Sequence, residues 1–342
     1  MNPISCELLE HAPLGERNTL KIQAQARYLA LVRDATVLPE LLDDPRFRGQ
    51  PVQVLGAGSN VLLTHDLAGL LVHLETRGRR ILGEQAGAVQ VAVAAGENWH
   101  DLVQWTLAQG LIGLENLSLI PGNAGAAPIQ NIGAYGVELA DCLHSVSAYD
   151  RWDRAWVELR RDACALAYRD SRFKQEPGRF LITGITLALA RDRPLRLDYA
   201  GIREELIDME VERPDAAAVA QAVIRLRRRK LPSPSEFPNA GSFFKNPLVT
   251  LSIAKALADR HPLMPHWPAA GEWVKLSAGW LIEAAGCKGM RNGDAGVAPG
   301  HALVLVNYGK ASGADLLSLA ERIRQRVREH FGVSLEIEPA LL

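Results

Sequence analysis

The first half of the chain places its apolar residues in short runs and alternations, and the second half spaces them as helices do. Residues 51–63, PVQVLGAGSNVLL, predict a strand, a tight glycine turn and a second apolar run. Residues 89–95, VQVAVAA, predict another strand, and residues 180–189, FLITGITLAL, a buried one. Asn98 predicts the cap of a helix carrying Trp99, Leu102, Val103, Thr106 and Leu107 that stops at Gly110. Near Arg213 the character changes. Pro214 and Asp215 open a helix with Val219, Ala222, Val223 and Leu226 at helical spacing, ended by Leu231-Pro232. Residues 232–241 read as a loop. Leu248 to Ala258 and Ser277 to Ala285 predict two more helices, the second closed by Gly286, and His301 to Asn307 predicts a buried strand. Ser312 caps a last helix, with Leu316, Ala320, Ile323, Val327 and Phe331 on one face and Gly332 as its stop. Val333 to Glu338 then alternates, which puts Ser334, Glu336 and Glu338 together on what reads as a solvated strand face.

This pattern predicts an α+β protein: a β-rich nucleotide-type domain, a boundary around residues 200–215, then an α+β domain. One stretch fits neither period. Residues 118–138, SLIPGNAGAAPIQNIGAYGVE, hold Gly122, Gly125, Gly133 and Gly136, two prolines and a single charge, Glu138. Glycine and proline rule out an ordinary helix. Ile120, Ile129 and Ile132 argue against a solvated linker. A buried loop of small residues presents backbone N–H groups at close range, which suits a phosphate or a flat ring.

Composition narrows the classes. A chain of 342 residues, 48% hydrophobic and 23% charged, can build more than one core. A net charge of −1 gives nucleic-acid binding no electrostatic support. No apolar run approaches the roughly 18–20 residues that span a bilayer. The start, MNPISCELLEH, lacks the basic-then-apolar order of a secretion signal. Cys6, Cys142, Cys164 and Cys287 are far apart, so free thiols in the cytoplasm are expected.

Familiar signatures are mostly excluded. GAGSNV at 56–61 has Val61 where the dinucleotide fingerprint needs a third glycine. Gly309-Lys310 is followed by Ala311, so there is no P-loop. No metal spacing and no GxSxG hydrolase motif occur. Ser242, in NAGSFFKNP, is either a proton donor in a closed pocket or the serine of a helix-leading turn bonded to its own backbone. Arg227 to Lys230 reads as a solvated helix end that complements the helix dipole, with Lys230 as the member that turns inward toward a phosphate. Arg169 either clamps a carboxylate or pairs with Asp170 or Asp162.

Taken together, NTL near residue 18, GAGSNVLL, GENWHDLV, GLENLSLIPGNAGAAPIQNIGAYGVE, YRDSRFK, RRRKLPSP, NAGSFFKNP, KLSAGWLIEAAGCKG, HALVLVN and the terminal LEIE resemble the UDP-N-acetylenolpyruvoylglucosamine reductase (MurB) family. The DYAGI segment around Tyr199 resembles its longer subtype, with a tyrosine-bearing loop. The resemblance implies an FAD-binding domain of vanillyl-alcohol-oxidase (PCMH) type in two subdomains, residues 1–70 and 71–212. It further implies an α+β substrate-binding domain over 213–330 and a C-terminal strand, 331–342, that returns to the active site. It implies FAD as bound cofactor, NADPH as hydride donor and UDP-N-acetylglucosamine enolpyruvate as substrate. Charge, hydropathy and cysteines lead to the expectation of a cytoplasmic protein that binds neither nucleic acid nor membrane, and a monomer is expected.

The same resemblance assigns residues. Catalysis falls to Ser242 as proton donor, Arg169 as stabiliser of the developing negative charge, and Glu338 as the acid beside it. Cofactor binding falls to Gly56, Gly58, Ser59, Asn60, Pro121, Gly122, Gly125, Ala126, Gln130, Asn131, Gly133, Ala134, Tyr135 and Gly136. Substrate binding falls to Tyr168, Tyr199, Lys230, Asn246 and His301, and no metal is implied. The end departs from the family pattern. Pro339 follows Glu338 where the family continues with an apolar residue, an arginine and a further tail, so either another cation or the backbone must hold the acid. Two other classes stay open on the residues themselves: a flavin-dependent oxidase of the same cofactor fold, and a UDP-sugar-binding regulator without activity.

Overall fold

The computed structural model describes residues 5–342. The chain divides into two compact units. Unit 1 comprises residues up to Ala12, Ala26–Ala57 and Leu67–Arg229; unit 2 comprises Pro13–Gln25, Gly58–Asp66 and Lys230–Leu342.

Unit 1 holds two sheets. In the four-stranded sheet, Leu67–Leu74 runs parallel to Gln25–Val32 on one side and to Val52–Val54 on the other. Leu67, Leu70, Leu71, Val72 and Leu74 are all buried, the near-continuous apolar run that a covered parallel strand requires. The five-stranded sheet is antiparallel, with Phe180–Leu189 at its centre between Leu143–Asp150 and Ala88–Ala94. In Ala88–Ala94 only Val89, Val91 and Val93 point inward, the period of two expected of a half-buried strand. They pack with Trp99, Leu102 and Val103 of the helix Trp99–Ala108. Asn98 caps that helix by accepting from the Asp101 N–H at 3.0 Å. Trp99 is fully buried, and its indole donates to the Leu117 carbonyl at 3.0 Å, so one side chain ties the core to the start of the glycine loop. Truncating such a tryptophan costs about 3–5 kcal/mol.

Unit 2 pairs Asn239–Ser242 with Val304–Asn307, and Leu248–Thr250 with Trp273–Leu276. Its longest helix, Gly313–Phe331, begins with a Ser312/Asp315 capping box and ends at Gly332, left-handed at φ 68°. Both ends match the sequence expectation. Three boundaries differ. Leu248–Thr250 is a strand, and the helix begins at Leu251, because β-branched Val249 and Thr250 are taken up by pairing with Val274 and Trp273. The expected strand from His301 starts only at Val304, since His301 sits in a turn whose carbonyl accepts from the Val304 N–H. The alternation at the C-terminus breaks at Ile337, so Glu338 is buried at 9% exposure, whereas Glu336 stays outside and pairs with Lys245. Of the expected solvated face, Ser334 and Glu336 are exposed and only Glu338 is not.

Candidate active site

In unit 1 the glycine loop is folded by its own residues. Asn131 is buried; its amide donates to Glu138 Oε2 (2.7 Å) and the Ala167 carbonyl (3.2 Å), and its Oδ1 accepts from the Ala140 N–H. Gly133-Ala134 pairs with Val137-Glu138, and the two residues between, Tyr135 (φ 51°) and Gly136 (φ 80°), both take the positive φ of a tight hairpin turn. Tyr135 tolerates that strain because the buried Asn116 amide holds its carbonyl at 2.8 Å. Its ring meets Tyr199 edge-on, centroids 5.0 Å apart. Gly122 has φ 128°, open to glycine alone. A Cβ on Gly125 would stand 2.5 Å from Ala95 Cβ. Among the described residues, the Gly122 and Asn123 N–H groups make no hydrogen bond. Gly56 lies against this loop: a Cβ there would stand 3.5 Å from Ala126 Cβ. Two of the glycine segments assigned to the cofactor are therefore neighbours.

Arg169 occupies a second tight turn, Tyr168-Arg169, closed by Ala167 and Asp170, and it too is left-handed, at φ 55°. Its guanidinium donates to the Gly133 carbonyl at 2.9 Å and lies over the Tyr168 ring. Asp162 goes to Arg161, and Asp170 accepts from Gln175 at 2.8 Å.

Sequence reasoning passed over His100. Its Nδ1 accepts the N–H of Leu119, a left-handed residue at φ 60°, at 3.0 Å. No sequence signal marks a contact across 19 positions. Only a neutral imidazole can accept there. Burial first, then Arg228 and Arg227, hold the His100 pKa below the ordinary histidine value, while Asp101 acts the other way. The sign follows: the stabilisation is present above the ordinary histidine range and is lost as pH falls through the lowered value. With the flavin that the resemblance implies, we expect His100→Leu to weaken flavin affinity by about tenfold, from about 1–2 kcal/mol for an orphaned N–H. His100→Asn, which keeps an acceptor, restores it, and equilibrium flavin titration checks both. Equal affinities in all three proteins would contradict this role.

In unit 2, Ser242 ends the strand Asn239–Ser242, so it does not lead a helix. Gly241 at φ 73° turns the chain just before it, held by its N–H to Asn239 Oδ1 at 2.8 Å. Among the described residues the Ser242 hydroxyl makes no hydrogen bond, including to its own backbone. Fully buried Phe243 and Phe244 anchor the segment, and the Glu338 N–H donates to the Phe243 carbonyl at 2.9 Å. Glu338 therefore lies beside the serine's strand. Just beyond it, Ala340–Leu341 pairs parallel with Val61–Leu62, and the Ala340 N–H donates to the Asn60 carbonyl. Backbone pairing thus holds Ala340–Leu341 beside Val61–Leu62. Gly58 is irreplaceable by packing: a Cβ would come 2.1 Å from the Arg17 carbonyl oxygen.

Asn246 Oδ1 accepts from the Ala278 N–H at the start of the helix Ala278–Ala284. Lys230 is exposed and acts electrostatically on His301, whose pKa is lowered by burial first, then by Lys230 and Lys288. Of the basic run, Arg227 is the member that turns inward. Arg225 and Arg229 instead reach buried Glu205. Among the described residues no group of three metal-ligating side chains occurs, and no helix is long and apolar enough to cross a membrane.

An FAD binding domain model matches residues 26–158, which places the chain among flavin-dependent oxidoreductases. The C-terminal domain model of UDP-N-acetylenolpyruvoylglucosamine reductase matches residues 233–342. The chain belongs to the UDP-N-acetylenolpyruvoylglucosamine reductase family. It is 52% identical over 340 residues to that reductase of Xanthomonas oryzae pv. oryzae, covering 99% of this chain and 97% of the relative. It is 51% identical over 333 residues to that of Xylella fastidiosa, covering 97% and 95%. The crystal structure of the Thermus caldophilus reductase matches with TM-score 0.66 and 26% identity over 98% of both chains.

The residues fit the cofactor. The open N–H donors at Gly122 and Asn123 make the kind of backbone cradle that a diphosphate needs.

Proposed function

We propose that the chain is a UDP-N-acetylmuramate dehydrogenase, reducing the enolpyruvyl ether of UDP-N-acetylglucosamine with NADPH through FAD in peptidoglycan precursor synthesis. FAD, when bound, would supply the hydride relay between NADPH and the methylene carbon of the enolpyruvyl group. The observation that carries this reading is the hydrogen bond from Arg169 to the Gly133 carbonyl. It holds the Arg169 guanidinium against the loop suited to the cofactor, where this reading needs a carboxylate receptor. Hydride addition next to a carboxylate builds negative charge as an aci-carboxylate, and a planar guanidinium already oriented can receive that charge without reorganising.

The remaining roles are those that the family resemblance implies. Ser242 holds the proton for the carbon that becomes a carbanion, and Glu338 is the acid beside the carboxylate. Lys230, Asn246, His301, Tyr168 and Tyr199 bind the nucleotide sugar. Pro121, Gly122, Gly125, Ala126, Gln130, Asn131, Gly133, Ala134, Tyr135 and Gly136, with Gly56, Gly58, Ser59 and Asn60, hold the cofactor. By function we divide the chain into residues 1–70 and 71–212 for the cofactor and 213–330 and 331–342 for the substrate, which are not the compact units themselves. The reading includes a cytoplasmic monomer. Its first test is the cofactor: heat-denatured protein should release stoichiometric FAD. A colourless protein that takes up no added FAD would refute the reading.

A further inference from the structure

Arg227 is the inward member of the basic run, and the roles above leave it unused. The helix Ala216–Lys230 buries Val219, Ala222, Val223 and Leu226, and Arg227 sits at the edge of that stripe, one turn after Val223. The same core cluster includes Tyr135 of the tight hairpin turn. Arg225 and Arg229 share Glu205, but Arg227 makes no hydrogen bond or ion pair among the described residues. The charges acting on it are those of Tyr135 and Arg169, and no carboxylate is among them. Burial, first, and the like charge of Arg169 hold its pKa below the ordinary arginine value, with Tyr135 opposing. A partly buried guanidinium with no counter-charge among the described residues destabilises a fold unless something brings the balancing charge.

We propose that Arg227 is a second receptor for the substrate's carboxylate, acting with Arg169 beside Tyr135 on the charge that accumulates there. This rests on the reading of the chain as a reductase of an enolpyruvyl ether. The chemistry asks for two cations: the carboxylate enters with one negative charge, and hydride addition makes its aci form a dianion. A single arginine balances only the first.

The test uses FAD-loaded protein and compares Arg227→Gln and Arg227→Lys with wild type. Ligand-free melting temperature is measured first, then affinity for the enolpyruvyl nucleotide and for UDP-N-acetylglucosamine, which lacks the carboxylate. Arg227→Gln should melt higher than wild type, because an uncompensated charge is gone. It should bind the enolpyruvyl nucleotide about tenfold or more weakly and UDP-N-acetylglucosamine unchanged. Arg227→Lys, which keeps the charge, should restore most of the affinity. Three results would overturn the proposal. One is a lower melting temperature with both affinities intact, the mark of a structural arginine. Another is equal weakening of both nucleotides, the mark of a phosphate contact. The third is an altered flavin spectrum with substrate binding intact, the mark of a contact to the cofactor. Wild-type protein that fails to bind the enolpyruvyl nucleotide would instead sink the reductase reading itself.

Discussion

Ser242→Ala is expected to leave reduction of the flavin by NADPH at the wild-type rate and to slow its reoxidation by the enolpyruvyl substrate by about 10²–10⁴-fold, the usual worth of a positioned acid. The expectation starts from the backbone. Gly241 is left-handed and tied to Asn239, and Phe243 is fully buried, so the serine's position is fixed from both sides. Its hydroxyl has no partner among the described residues, so its proton is not engaged elsewhere. A serine is a weak acid and gives up its proton only as the carbanion forms, which confines its effect to the second half-reaction. Alanine removes one oxygen from a partly buried site and leaves the turn intact. Equal slowing of both half-reactions, followed by stopped-flow absorbance, would contradict the proton-donor role.

Arg169→Lys should slow the same half-reaction by about 10²–10³-fold, or about 3–4 kcal/mol by analogy with the loss of one oxyanion donor. This substitution isolates the head group. Arginine and lysine bear the same Cβ, so the strain of the left-handed turn at φ 55° is unchanged. What changes is the planar fork, which can hold the Gly133 carbonyl and a carboxylate together; an ammonium cannot reproduce that geometry. Wild-type single-turnover rates in Arg169→Lys would refute the assignment.

Much of the frame was legible because local chemistry decides it. Asn98, Ser277, Ser312 and Gly332 announce their helix ends through caps that need only neighbouring residues. The loop at 118–138 announced itself by glycine and by the lack of charge. What escaped the sequence depends on distant partners. Leu248–Thr250 is a strand only because Trp273–Lys275 lies beside it. Glu338 is buried because its N–H is claimed by Phe243, nearly a hundred positions earlier, which the alternation of 333–338 could not reveal. Positive φ at Leu119, Tyr135 and Arg169 is unreadable, since these residue types do not favour it and tertiary hydrogen bonds impose it. In the basic run, Arg227 rather than Lys230 turns inward, because the buried stripe of its helix and the pull of Glu205 on Arg225 and Arg229 fix the rotation.

The central claim is that the flavin passes its hydride to an enolpyruvyl nucleotide rather than to oxygen. The direct measurement is to reduce the protein with one equivalent of NADPH under anaerobic conditions and then add UDP-N-acetylglucosamine enolpyruvate, following flavin absorbance and product mass. The account predicts rapid return of the oxidised spectrum together with stoichiometric UDP-N-acetylmuramate. A reduced flavin that ignores this substrate, and reoxidises only on admission of air with release of peroxide, would contradict it.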